Sequence, residues 1–164
     1  MAIWQFLVAL IPRQWAERDG NSPEMLYDGE GYNDTSSAWQ NNQPNVNLAE
    51  LISGILPPAE SWSDSLRIWG DERRSDIQVG YEGDNVESVM VRIDAREDTA
   101  HLCSRVIELA SVLDCVLFFP AERAIIALDL AALSGAVQKS RAARFAAAPH
   151  EFIEQLSRTS SNES

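Results

Sequence analysis

The sequence predicts an α+β domain: a mostly antiparallel sheet of four to six strands with helices packed on one face. Three observations carry the prediction. Between residues 66 and 94, runs of alternating apolar and polar residues are separated by turns rich in Gly, Asp and Asn, the mark of an antiparallel meander. Thr99–Leu113 places Leu102, Val106, Leu109, Ala110 and Leu113 at spacings of three and four, one apolar stripe along a helix. The chain has 164 residues, 45% of them hydrophobic, which suits one core that needs neither disulfides nor metal.

The elements follow in order. Ile3–Leu10 is rich in β-branched and aromatic residues, stops before Pro12, and is expected to form a buried strand. Its apolar start lacks the basic stretch and small-residue cleavage site of a secretory leader, so the chain is expected to be cytoplasmic. Residues 17–45 then carry Gly20, Pro23, Gly29, Gly31 and Asn41-Asn42-Gln43-Pro44, which predicts a long turn-rich loop. Asn47, with Glu50 three residues on, caps a short helix from Leu48 to Leu56 that Pro57-Pro58 stops. Strands are expected at Leu66–Trp69, Asp76–Tyr81 and Val86–Asp94, the last with Val89, Val91 and Ile93 on one face. After the Thr99–Leu113 helix, Cys115–Phe119 returns as a strand stopped by Pro120, and Ala124–Ile126 is a further short one. Leu128–Val137 predicts a helix with Leu130, Leu133 and Val137 inward, and Pro149 suits the first turn of the last helix. The expected domain spans 1–158, with 159–164 a frayed polar tail.

Charge is the least ordinary feature. Twenty-five acids against thirteen bases give a formal net charge of −12, and eighteen of those acids lie in residues 1–98 beside only seven bases. A field of that sign repels nucleic acid and anionic lipid, both of which need Lys and Arg to displace counterions. It favours a partner with a basic surface.

Catalytic patterns are hard to find. His101 and His150 are far apart and neither has Cys or carboxylate neighbours at zinc spacing, so no metal is expected. Cys103 lies two residues from His101, a spacing that turns the two side chains to different faces of a helix. Cys103 and Cys115 both sit among apolar residues and are expected to be buried free thiols. Gly29-Glu30-Gly31 has no following Lys or helix start, and its acid would repel phosphate. No cofactor is implied. The acid clusters Asp71/Glu72 and Asp94/Glu97/Asp98 fall in turns and ahead of a helix, where Asp and Glu have ordinary structural uses.

Aromatic residues remain. All five tryptophans lie in residues 1–69. Trp4 and Trp69 are expected in the core, and Trp62 at the corner between helix and strand. Tyr27, Tyr32 and Trp39 fall in the acidic loop, where they either anchor a partner as exposed rings among polar groups or pin the loop to the domain. The candidate contact residues are therefore Tyr27, Asp28, Glu30, Tyr32, Asp34 and Trp39 in the loop, with Asp71 and Glu72 in the hairpin turn.

A small, acidic, Trp-rich α+β chain of this kind resembles the immunity proteins paired with bacterial toxins, such as type VI secretion effectors and other polymorphic toxins. That resemblance is one of type and composition; the stretches Ser61-Trp62-Ser63, Leu66-Arg67-Ile68-Trp69-Gly70-Asp71, Asp76-Ile77-Gln78-Val79 and Val91-Arg92-Ile93-Asp94-Ala95-Arg96, over residues 61–96, look like a pattern in small uncharacterised bacterial proteins. The resemblance implies a non-enzymatic protein that blocks a cognate toxin by direct contact with its active cleft; it brings no catalytic residues. The alternatives are an adaptor or homodimer built on a sheet edge and, last, an enzyme using a carboxylate pair in a cleft.

Overall fold

The computed structural model describes residues 1–18 and 20–162. These form one seven-stranded antiparallel sheet in the order β2-β3-β4-β5-β1-β6-β7. The strands are β1 (Gln5–Pro12), β2 (Pro58–Ala59), β3 (Leu66–Gly70), β4 (Asp76–Glu82), β5 (Asn85–Asp94), β6 (Cys115–Phe119) and β7 (Ala124–Ile126). The expected count of four to six falls short because β2 is only two residues long and begins with proline. It pairs at the sheet's edge, Pro58 with Trp69 and Ala59 with Ile68, where a missing N–H is tolerated. The first strand also starts two residues later than its composition suggests and runs into Pro12.

Four helices lie on one face, as expected. These are α3 (Leu48–Ser53), α4 (Ala100–Val112), α5 (Leu130–Lys139) and α6 (Arg141–Ala147). Phe6, Val8, Leu10, Val89, Val91 and Ile93 alternate toward this face and pack against Ile52, Cys103, Val106 and Leu133. In α4 the buried stripe runs through Cys103, Val106, Leu109 and Ala110, so one thiol belongs to the core. Burial pushes the Cys103 thiol up and the Cys115 thiol up to about 12, as expected of core hydrophobes. Asn47 caps α3 by accepting the Glu50 N–H, and Asp129 and Ser140 cap α5 and α6 in the same way. Leu130, one position into α5, is exposed rather than inward. The last helix, α7 (Pro149–Asn162), continues past Thr159, where a frayed tail is expected; residues 163–164 lie outside the described residues. No helix among the described residues is long and apolar enough to cross a membrane.

The second sheet face is covered in part by the predicted loop, which is well folded. It contains α1 (Arg13–Ala16), a 3-10 turn at Pro23–Leu26 and α2 (Ser36–Trp39). From these, Trp15, Leu26 and Ala38 pack with Ala9, Ile11, Val116 and Phe118 in a second core. The loop is held because β1 changes partners along its length. It pairs with β5 from Gln5 to Ala9 and with β6 from Ala9 to Pro12. Beyond Ala9, β1 and β5 diverge and residues 35–43 fill the split. The Trp39 indole donates to the Leu10 carbonyl (3.2 Å), Thr35 Oγ1 donates to the Glu87 carbonyl (2.8 Å), and the Gln43 side chain both donates to the Val86 carbonyl (2.9 Å) and accepts the Val86 N–H (2.7 Å). Side chains thus complete the ladder where strands do not.

At the other end of β5, two carboxylates are buried and paired. Asp76 takes the Arg92 guanidinium from the facing strand, with Nε at 2.8 Å, and Asp94 takes Arg96 through Nε at 3.0 Å and the second nitrogen at 2.8 Å. Burial alone would raise the Asp94 carboxyl, but the hydrogen bonds and charge of Arg96, with the charge of Arg74, hold it below its ordinary value. Gln5 reaches from β1 to the Glu72 and Arg74 carbonyls (2.9 and 2.6 Å) and fixes the β3–β4 turn over this cluster. In that turn Gly70 is at φ +92°, and a Cβ there would meet the Ser75 carbonyl at 2.4 Å, so only glycine fits.

Two outcomes are expected. Val91 is fully buried in a central strand, so Val91→Asp places an unpaired charge in the core at a cost of several kcal/mol, against a total of roughly 5–15. Circular dichroism should show the variant unfolded. Gln43→Ala should cost about 1–3 kcal/mol as a lower urea midpoint, with faster amide exchange at Val86; an unchanged midpoint would mean the segment contributes nothing to the sheet.

Candidate functional site: an acidic cluster at a strand bulge

The loop and the β4–β5 hairpin bring acids together that are distant in sequence. Pairing along β4 and β5 matches Gly80 with Ser88 and then Tyr81 with Val86, so Glu87 is an extra residue bulged out of the ladder. The bulge switches the phase of the strand: Val86 joins Val89 in the core, and the Glu87 carboxylate is turned toward Glu82 and Asp34. Burial, then a hydrogen bond with the Glu82 carboxyl, then the negative charges of Glu82 and Asp34 raise the Glu87 carboxyl above its ordinary value. Among the described residues none of the three carboxylates has an arginine or lysine partner. Glu82 and Glu87 border a hollow of about 310 Å³ between α2 and the hairpin, lined also by Ser36, Gln40 and Gln43.

The predicted contact residues divide. Asp28, Glu30, Tyr32 and Asp34 are exposed, Tyr32 at 69%. Their loop is shaped by its own side chains. Asp28 Oδ1 accepts the Glu30 and Tyr32 N–H groups (2.9 and 3.0 Å), and Asp34 Oδ1 accepts the Ser36 N–H and hydroxyl (3.0 and 2.7 Å). Trp39 is corrected: at 1% exposed it belongs to the core and cannot touch a partner. Tyr27 is half-buried, donates its hydroxyl to the Pro120 carbonyl (2.9 Å), stacks edge-on with Phe118 and carries Arg123 over its ring, so it too pins the loop. Asp71 and Glu72 are exposed, but they sit in the β3–β4 turn at the opposite end of β4 from Glu82. Seven strand residues span roughly 20 Å, so they form no patch with Asp34.

Glu82 and Glu87 are the residues that sequence reasoning missed. Both read as ordinary turn-flanking and strand acids, and only the bulge makes them neighbours. The tryptophans also redistribute. Trp4 is half-buried at the sheet's end, with Arg96 4.0 Å over its ring, and Trp62 is 77% exposed rather than packed at a corner. Among the described residues no three His, Cys, Asp or Glu side chains gather as a metal ion would require.

The raised Glu87 carboxyl has a testable sign. The fold disfavours its ionised form, so the stability at this site is fully present below the ordinary glutamate value and is lost as pH rises through the raised folded value. Glu87→Gln should therefore melt higher than the parent at neutral pH, and the gap should close on acidification. A gap that stays constant with pH would remove the like-charge account. No protein-family model, no curated protein and no solved structure matches this chain.

Proposed function

We propose that the protein is a non-enzymatic binding protein whose acidic cluster closes over a basic surface of a partner protein, in the manner of an immunity protein on its toxin. The observation that carries this reading is the convergence of Asp34, Glu82 and Glu87 without a basic counterpart, in a chain that elsewhere pairs its buried carboxylates with arginine. Like charges held together oppose folding, and a basic partner relieves that repulsion on binding.

The surroundings suit such contact. Asp28, Glu30 and Tyr32 extend the negative surface along a loop whose turns are already formed, so little ordering is lost on docking. Tyr32 offers an exposed ring among acids, the make-up of an interface anchor. The negative field speeds encounter with a basic cleft, which matters when a toxin must be captured before it acts.

Co-expression with the product of an adjacent gene should yield a stable complex and restore growth if that product is toxic. The combined variant Asp34→Lys, Glu82→Lys and Glu87→Lys should abolish both effects while keeping the parent's circular dichroism. Absence of a complex and of rescue with every adjacent gene product would end the reading.

A further inference from the structure

The same change of partners that admits the loop on one side of β1 leaves a gap on the other. The β1–β6 ladder ends at Ala9 and Phe118. Continued by two residues, it would set Leu7 opposite Pro120, which has no N–H to donate. The chain turns away there into the 3-10 turn Pro120–Glu122, and the Pro120 carbonyl is taken by the Tyr27 hydroxyl. Main-chain groups alternate along a strand, and those of Trp4 and Leu10 point toward the β5 side, where they meet the Ala95 N–H and the Trp39 indole. The Gln5 and Leu7 carbonyls therefore point into the gap.

That gap opens into a cavity of about 740 Å³. Its floor and walls are apolar, from Ile3, Phe6, Leu7, Pro120 and the ring of Tyr32. Its rim carries Lys139, Arg141 and Arg144, all exposed, against the single acid Glu122. Among the described residues none of these three bases has an acidic partner. In a chain of net charge −12, three bases without an acidic partner around one groove stand out, although Arg141 also lies 5.7 Å over the Phe152 ring. The acids Glu30 and Asp34 flank the groove's Gly31–Asn33 wall in sequence but do not themselves line it.

We infer that this groove binds an extended acidic segment of a partner protein, which lies along the edge of β1 that β6 leaves unpaired, donates main-chain N–H groups to the Leu7 and Gln5 carbonyls, the Gln5 N–H being held by the Ala2 carbonyl, and sets carboxylates against Lys139, Arg141 and Arg144. Strand addition at an open edge supplies the main-chain affinity, the apolar walls take alternate side chains, and the basic rim selects the charge. A fatty-acid carboxylate would satisfy the walls and the rim but has no N–H donors for the strand edge. The site shares none of the acids of the hairpin cluster, only the ring of Tyr32, and its test uses Lys139 and Arg144, which that cluster does not involve.

The probe is a short fluorescein-labelled peptide of alternating glutamate and valine, titrated against the full chain by fluorescence anisotropy. It should bind, and the combined variant Lys139→Glu and Arg144→Glu should weaken binding about tenfold or more. The same peptide N-methylated at alternate residues should lose binding to the unaltered protein, as should a lysine–valine version. Any of three results would overturn the inference: no binding of the glutamate–valine peptide, equal binding of its N-methylated form, or indifference to the charge reversal in a variant with the parent's circular dichroism. Displacement of the peptide by laurate at comparable concentration would likewise assign the groove to a lipid carboxylate instead.

Discussion

The structure depends on how β1 divides its hydrogen bonds. Five residues of this central strand pair with β5 and four with β6, sharing only Ala9. A strand paired along its whole length on both sides would leave no room at either edge. Because the two ladders are offset, each flank of β1 has an open half, and the two halves meet different fates. On the β5 flank the opening is closed by Trp39, Thr35 and Gln43, which supply from side chains the bonds that a strand would have made. On the β6 flank a proline forbids continuation and the opening stays a groove.

This division also organises the charge. The segment that fills the first opening brings Asp34 up to the β4–β5 hairpin, and so creates the acidic cluster. The opposite opening is bordered by α5 and α6, which come from the nearly neutral second part of the chain and carry bases without an acidic partner among the described residues. The imbalance between the two parts of the sequence becomes, in three dimensions, an acidic cluster at one opening and three bases at the rim of the other. Other acids of the N-terminal part are spent inside the fold: Asp76 and Asp94 hold Arg92 and Arg96 at the sheet's end. Arg13, at the start of α1, holds Asp114 through two parallel bonds of 2.7 and 3.0 Å.

Much of the fold was legible because its signals are local. Alternation in Ile77, Val79, Val89, Val91 and Ile93 fixes two strands and their inward face, and period 3.6 fixes α4. The short β2 was not legible, since two residues beginning with proline carry no period. The ordered state of the 17–45 region was hidden for a related reason: its bonds run to Leu10, Val86 and Glu87, distant in sequence, and turn-rich composition says nothing about such partners. The candidate site was read in half. Exposure of Asp28, Glu30, Tyr32 and Asp34 follows from loop composition, but the burial of Trp39 and the company of Glu82 and Glu87 follow from tertiary pairing alone.

The bulged residue gives the molecule an unusual freedom. From Ser88 to Asp94 the positions of β5 are bound by the two-residue period, so changing their character disturbs either the core or the half-covered face. Glu87 stands outside that rhythm, supernumerary between Val86 and Ser88. Its side chain can be exchanged for another without moving any neighbour to the wrong side of the sheet. A change at this one position therefore alters the surface and the electrostatics it shares with Glu82 and Asp34, and leaves the register of β5 as it was.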